Sequence, residues 1–356
     1  RAIEELALVI AFIILAAFTW TSGLRGATLT GIFKDVLVWI TVLGTLAVVY
    51  VSAGGLLHAL QVAGFVKATN VSATLRNELH GLPIPYGYLP PTPLLVSAYF
   101  SLALGSAFAL YLYPHAINGS LSSDSSKNLK ISTALMPIYG IGLALIALFG
   151  ILVYDYSSAL SVVEKAGNGA LAVPALIAAA MPDWFVGLAY AAIFIGGLVP
   201  ASIMAIGVGN LVARNIVSEL RPSSPQTELK IAKWVSLIIK FVALGFVFVV
   251  PPTYAIALQL LGGIIIAQTF PAVFIALFTD KLHPKSTLAG LIVGLITGIY
   301  LTLVANNFGP ITTTLYAVGP YKLYIALIAL GVNLLVTLIG TAIAYASGWR
   351  PRQVKA

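Results

Sequence analysis

A proline interrupts the apolar stretch IGGLVPASIMAIGVGN, residues 195–210. Pro200 has no N–H to donate to the carbonyl of Gly196, four residues earlier, and its ring crowds that carbonyl. Inside a lipid bilayer such a break is stable only where protein, water or a ligand satisfies the freed group. The stretch therefore predicts a break whose carbonyl serves either packing or a ligand.

Uncharged polar residues lie beside helix breakers in two other apolar stretches. The first stretch contains Gly105-Ser106 and Pro114-His115, and the second contains Gln259, Gly262-Gly263, Gln268-Thr269 and Pro271. Three Gly- or Pro-interrupted runs in one chain are typical of the discontinuous helices that transporters use to place backbone dipoles at a mid-membrane site. The alternative is three kinked helices that only pack, and we favour the transporter interpretation.

Groups for catalysis are sparse. Most of the eleven acidic residues fall in loops or at the ends of apolar runs, and the four histidines show no metal-binding spacing. The absence of cysteine excludes thiolate metal and redox sites. Haem held by His58 and His115 and an intramembrane enzyme are formal alternatives without further support. The sequence predicts a protein that is not an enzyme and holds no organic cofactor.

The composition is that of a membrane protein. Hydrophobic residues make up 60% of the 356 residues and charged residues only 8%, whereas soluble domains carry about 25% charged residues. Runs long enough to cross a bilayer lie at 3–22, 36–62, 93–117, 131–153, 184–210, 231–250, 255–279, 286–305 and 321–346. They predict an all-α polytopic membrane protein. The apolar segment 168–184 is too short to cross and is expected to form a re-entrant or surface helix on the outer side.

The basic residues orient these runs. If the first loop is cytoplasmic, 13 basic residues face the cytoplasm: Arg25, Lys34, Lys127, Lys130, Arg214, Arg221, Lys230, Lys233, Lys281, Lys285, Arg350, Arg352 and Lys355. Only 4 face outward, namely Lys67, Arg76, Lys165 and Lys322, besides Arg1. The positive-inside rule explains this bias. It predicts a cytoplasmic C-terminus. It also accounts for the net charge of +8, so that no nucleic-acid partner is needed to explain that charge.

Lys240 remains inside a predicted span, in KWVSLIIKFVAL. A charge within the membrane is a functional candidate by default. It lies about two turns beyond Trp234, so the alternative, which we favour, is that its stem reaches to the cytoplasmic interface.

Longer stretches resemble one family. FTWTSGLRGATLTGIFKDVL, residues 18–37, is similar to the YT-x-x-GG-L-R-A-V-x-x-T-D-x-x-Q turn of the sodium:solute symporter family. SLALGSAFALYLYPHAINGSLSSDSSKNLKIS resembles that family's next signature. The combination of YLYPHAINGSLSS, LVPASIM…NLVARNI and QTFPAVFIALFT is most similar to the monocarboxylate permease branch, which takes up lactate, pyruvate, acetate and alanine-like solutes.

The resemblance implies the LeuT fold, in which two inverted five-helix repeats form a bundle with broken helices. Residues 1–62 would then hold the last two helices of the first repeat and 63–92 an outer loop. Residues 93–279 would form the second repeat, and 280–356 the peripheral helices and cytoplasmic C-terminus. The opening helices are expected upstream of Arg1, where no initiator Met stands.

The resemblance also implies a Na⁺ site. In sodium-coupled members this fifth run supplies a carbonyl, which falls on Gly196, and a hydroxyl pair, which falls on Val199 and Pro200. Both hydroxyls are absent here, although Ser202 is a nearby hydroxyl. Hard cations need oxygen ligands, so three alternatives stay open: a modified cation site, coupling to protons, or a kink for helix motion.

For the solute, Gln259 falls on a sugar-binding position of the family, but Ala107 and Leu110 replace the other sugar contact and gate. A small, mostly apolar pocket suits a short organic acid. The helix-end N–H groups expected near Gly105 and Ser106, with Gln268 and Thr269, would bind its carboxylate. His115, as a proton carrier or a structural residue, is the remaining candidate, and we favour the structural role.

These inferences predict a symporter of the plasma membrane that works as a monomer by alternating access, with Na⁺ or H⁺ as the coupling ion. Short monocarboxylates are the expected solutes. A sodium-coupled proline or amino-acid symporter is the first alternative, and a channel or an intramembrane enzyme is more remote.

Overall fold

The computed structural model describes residues 2–52, 54–58, 60–62, 93–251 and 254–351, so the predicted outer loop 63–92 lies outside the described residues. Helices dominate the described chain. Their bounds are α1 Ala2–Ser52, α2 Pro93–Leu112, α3 Pro114–Leu121, α4 Ser126–Leu152, α5 Ser157–Ala166, α6 Ala172–Ala180, α7 Asp183–Leu211, α8 Ser218–Leu220, α9 Pro225–Val249, α10 Ala255–Ala267, α11 Phe270–Val273, α12 Pro284–Ala305 and α13 Ile325–Ala346.

The predicted apolar runs form helices. Within the described residues, six helices are long and apolar enough to cross a membrane, or eight if each of two bent pairs counts as one span. The 51-residue α1 contains the first predicted run, 3–22, and residues 36–52 of the second, 36–62. It consists of two helices joined at a kink, and at about 1.5 Å per residue each is long enough to cross the ~30 Å hydrocarbon core. Its helical geometry is interrupted at Gly23, whose φ of 54° and ψ of −143° suit glycine alone.

The described chain divides into two compact units. Unit 1 contains the described parts of residues 1–88 and 118–253, and unit 2 those of 89–117 and 254–356. Each unit has a buried apolar core of its own. The predicted division into repeats at 62, 92 and 279 stays a prediction, because compactness does not report on repeat symmetry.

In unit 1, α1 packs along α7 and α9, and the short helices α5 and α6 pack on each other. The core includes Phe149, Leu152, Leu176 and Ile177, whose side chains are fully buried. Helix α6 falls within the predicted segment 168–184, and its nine residues span only about 13 Å. The prediction of a short non-crossing helix is confirmed, whereas its side of the membrane stays a prediction.

In unit 2, α12 and α13 form the most extensive helix pair of the chain. Gly290, Gly294 and Gly298 recur every four residues on α12 and are all buried. A Cβ at Gly294 would lie 2.8 Å from Cβ of Asn333 and 3.2 Å from Cδ of Gln268. Small residues at this spacing let two backbones approach closely in a membrane, and this explains the tight pair.

A short β-hairpin precedes α13 and is the exception to the all-α expectation. Strands β1 Leu315–Val318 and β2 Tyr321–Tyr324 pair antiparallel, with Leu315 opposite Tyr324. The prediction of a span beginning at 321 is therefore wrong by four residues, since α13 begins at Ile325. Gly319 adopts a φ of 58° in the connecting turn, which allows a tight hairpin that hydropathy alone does not reveal.

Candidate functional site

The region around Pro200 lies in unit 1 on an unbroken helix. Helix α7 continues from Asp183 to Leu211 with Pro200 inside it, and a π-helical segment, Val212–Val217, follows. The expectation of a discontinuous helix here is wrong, because a proline removes one hydrogen bond without having to end the helix. The carbonyl of Gly196 nevertheless lacks an N–H partner at residue 200.

Two side chains of this region face α1. Val199 is buried, and a Cβ at Gly31 would lie 3.7 Å from its Cγ1 atom. Ser202 is fully buried, and its hydroxyl lies 2.8 Å from that of Thr19. Because Thr19 donates its single hydroxyl hydrogen to the carbonyl of Leu15 at 2.6 Å, Ser202 is the donor in the hydroxyl pair.

Ser202 and the Gly196 carbonyl do not converge. The carbonyl points toward the position of Pro200, and Ser202 lies about 200° further around the helix axis, on a different face. Ser202 is moreover engaged with Thr19. A shared cation site of these two groups is therefore disfavoured, and the roles of Gly196, Val199 and Pro200 in ion binding stay predictions.

Gly105 and Ser106 lie in unit 2, within the continuous helix α2. The expectation of helix-end N–H groups at this point is wrong, since the bend of 50° falls instead between Leu112 and Pro114. Glycine is tolerated inside a helix, whereas the residue before a proline is driven out of the helical region. Gly105 makes room for the ring of Tyr324, which a Cβ at this position would contact too closely. Ser106 is exposed.

The break at Gln268 and Thr269 is confirmed. Helix α10 and the segment Phe270–Leu277 are inclined to each other by 49°, and the bend lies at these two residues. Asn333 of α13 donates from Nδ2 to the backbone carbonyl of Gln268 at 2.7 Å. The side chain of Gln268 is 1% exposed and donates to the carbonyl of Ile264 at 3.0 Å. Asn333 thus satisfies a carbonyl that the helix break has freed.

The other predicted solute ligands take different positions in unit 2. Thr269 donates its hydroxyl to the carbonyl of Ile266 at 2.7 Å and is half-buried. Gln259 is exposed on α10. The ring of His115 stacks on Tyr113 with centroids 5.3 Å apart. The fold brings Gln268 and Thr269 together at the break, and a solute role for any of these residues stays a prediction.

Lys240 is buried between helices of unit 1. Its side chain is 4% exposed, and Nζ donates to the hydroxyl of Ser236 at 3.0 Å. The side chain is buried against α1 and α7, and the interpretation that its stem reaches to the cytoplasmic interface stays a prediction, because Nζ turns back by one turn toward Trp234. Sequence reasoning did not single out Ser236, Thr19 or Asn333, although each is a polar residue within an apolar run.

A model of the sodium:solute symporter family matches residues 4–294. The chain belongs to this family. The "Monocarboxylate transport permease protein" of Rhizobium johnstonii is 35% identical to it over 341 residues, which cover 95% of this chain and 65% of the relative. An uncharacterized symporter, YodF, of Bacillus subtilis is 31% identical over 304 residues, 84% of this chain and 57% of the relative.

The solved structure of a Na⁺-coupled sialic acid symporter, determined substrate-bound and outward-open, is similar in fold. Its TM-score is 0.67 at 18% identity, and the match covers 98% of this chain and 67% of that structure. The sodium:solute symporter fold predicted from the sequence, a LeuT-like helix bundle with broken helices, is thereby confirmed. The relatives are transporters and not enzymes. The chain spans 57% to 65% of the length of these two curated relatives.

Proposed function

We propose that this protein is a secondary active transporter that couples the uptake of short monocarboxylates to a cation. The observation that carries the proposal is the 35% identity, over 95% of the chain, with a monocarboxylate transport permease. Membership of the sodium:solute symporter family supports cation-coupled symport by alternating access. Sodium is the first candidate ion, because the family is named for it and the structural relative is Na⁺-coupled.

The geometry of unit 2 agrees with a small acidic solute. The helix break at Gln268 and Thr269 lies beside Phe270 and Phe274, whose rings stack with centroids 4.9 Å apart. Backbone dipoles at a broken helix are suited to a carboxylate, and the apolar surroundings suit a short alkyl chain.

Uptake measurements test the proposal. Vesicles with the full-length protein are expected to accumulate labelled lactate with saturable kinetics, and pyruvate and acetate are expected to compete with it. Vesicles without the protein are the control. Equal competition by proline would favour the amino-acid alternative, and flux that rises without saturation would favour a channel; either result would contradict the proposal.

We also propose that the protein lies in the plasma membrane with a cytoplasmic C-terminus and acts as a monomer. The basic-residue bias supports these sides of the membrane. Cysteine introduced at Ser223, in the predicted inner segment, is expected to be shielded from an impermeant thiol reagent in intact cells. Cysteine at the exposed Ser158, in the predicted outer segment, is expected to react. These 356 residues contain no cysteine, and the labelling is compared with that of the protein without the introduced cysteine. The reverse pattern would overturn the assignment.

A further inference from the structure

A cavity of about 200 Å³ lies within unit 1, between α1, α7 and α9. Its polar lining comes from Thr19 and Trp20 of α1, Asn210 of α7, and Lys233, Ser236 and Lys240 of α9. Most of the other lining side chains are aliphatic, and they include Leu24, Ile206 and Leu237. The cavity therefore combines a cationic end with an apolar wall.

Lys240 is the charged group at the centre of this inference. It is 4% exposed and lines the cavity, and its bond to Ser236 uses one of the three N–H groups of an ammonium. None of the thirteen lining residues is acidic. An ammonium buried among apolar groups without a counter-charge is strongly disfavoured. A negative charge in the cavity would remove much of that cost.

Lys233, the second lysine of the cavity lining, is also a basic residue. Lys233 is half-buried, and its Nζ stands 5.8 Å from the centre of the Trp20 ring, which engages its charge by a cation–π contact. Both titratable side chains that line the cavity are thus basic. Their combined field favours an anion and opposes a cationic or zwitterionic amine.

We propose that this cavity is a binding site for a small carboxylate anion. The carboxylate accepts hydrogen bonds from the Lys240 ammonium, and a short alkyl chain packs against Leu24, Ile206 and Leu237. The site belongs to unit 1, whereas the predicted solute residues Gln268 and Thr269 belong to unit 2. The ligand class follows from the cavity alone and does not depend on the proposed transport activity.

Calorimetric titration of the purified full-length protein with sodium propionate tests this site, with uncharged propionamide as the matched ligand. Lys240→Met keeps most of the length of the unbranched side chain and removes its charge. It is expected to abolish one propionate site per protein, or to weaken it at least tenfold. Lys230→Met, at an exposed lysine of the same helix that does not line the cavity, is expected to bind as wild type does. Propionamide is expected to give no saturable heat.

Three outcomes would overturn the site: equal propionate stoichiometry and affinity in Lys240→Met and wild type, equal binding of propionamide, or displacement of propionate by equimolar chloride. Replacing a buried charge by an apolar side chain is commonly tolerated by a fold, and gel filtration checks this. If Lys240→Met is aggregated, Leu237→Trp, which fills the apolar wall and keeps the charge, is expected to lose the same site; binding retained there would equally overturn it.

The same proteins separate this site from the transport function. Propionate bound at Lys240 without any monocarboxylate uptake would support the cavity and contradict the proposed function. Saturable lactate uptake together with unchanged propionate binding in Lys240→Met would support the proposed function and contradict the cavity site. If wild type transports lactate and Lys240→Met transports it at an altered KM, the bound carboxylate is the transported acid; if KM is unchanged, it is a separate organic anion.

Discussion

Pro200→Ala is expected to lower the apparent affinity for the coupling cation at least tenfold while leaving the protein folded. Alanine restores an N–H at residue 200, which then bonds to the carbonyl of Gly196. An oxygen already engaged in the helix is a poorer ligand for a hard cation. The tenfold loss corresponds to about 1.4 kcal/mol, close to the worth of one hydrogen bond to a charged group.

The measurement is the initial rate of lactate uptake against Na⁺ concentration at fixed pH, and against pH at fixed Na⁺. Pro137→Ala provides a matched control, because Pro137 also lies inside a helix but is exposed. It is expected to stay within twofold of wild type under every gradient. If Pro200→Ala also behaves as wild type, the carbonyl of Gly196 is not an ion ligand and Pro200 only shapes the helix.

A hydroxyl added at the neighbouring position is expected to act in the opposite direction. The sequence resemblance implies that sodium-coupled members carry a hydroxyl at this position, and Val199→Ser would place an oxygen there. Val199 faces Gly31, where even an added Cβ would lie 3.7 Å from its Cγ1 atom. The variant is expected to raise the apparent Na⁺ affinity. Unchanged Na⁺ dependence in this variant, with a steep dependence on pH, would show proton coupling instead.

Gly294→Leu is expected to destabilise the protein by about 3 kcal/mol or more and to remove most of the folded material. A Cβ at this position already meets Asn333 at 2.8 Å, and the backbones of α12 and α13 are too close to move apart without losing their packing. The readout is the monodisperse fraction of a fluorescent fusion after heating, measured by gel filtration.

Gly331→Leu is the control for this prediction. Gly331 lies on α13, the partner helix, and a Cβ there meets no atom within 4 Å. Leucine is expected to change stability by no more than about 0.5 kcal/mol, as for most surface positions. Equal thermal stability of Gly294→Leu and Gly331→Leu would show that the glycine stripe of α12 does not set the distance between the two helices.

The spans were predictable from the sequence because hydrocarbon forces an apolar run of this length to close its backbone hydrogen bonds as a helix. Breaks were less predictable. Pro114 and Pro271 each lie beside a bend, whereas Pro200 lies inside a continuous helix and Gly105 inside another. A local sequence motif identifies the positions at which a helix can bend. Contacts with elements that are distant in sequence determine at which of these positions it does bend.

The candidate site shows the same limit at the level of side chains. Gln268 was predictable as a polar residue at a break, but not its partner Asn333, which lies 65 residues later in a helix assigned to the periphery. Lys240 was predicted to reach the interface from its distance to Trp234 alone. Its burial depends on α1 and α7, which are remote in sequence and invisible to a local pattern.

The bond from Asn333 to the Gln268 carbonyl has a consequence for how the chain is made. The ribosome delivers α10 and the segment after it 65 residues before the side chain that satisfies their break. An unpaired carbonyl in hydrocarbon costs several kcal/mol, so this segment is not in its final form when it first enters the membrane. We infer that α13 supplies a late contact in the assembly of unit 2, and that the bend at Gln268 becomes stable only when α13 has entered the membrane.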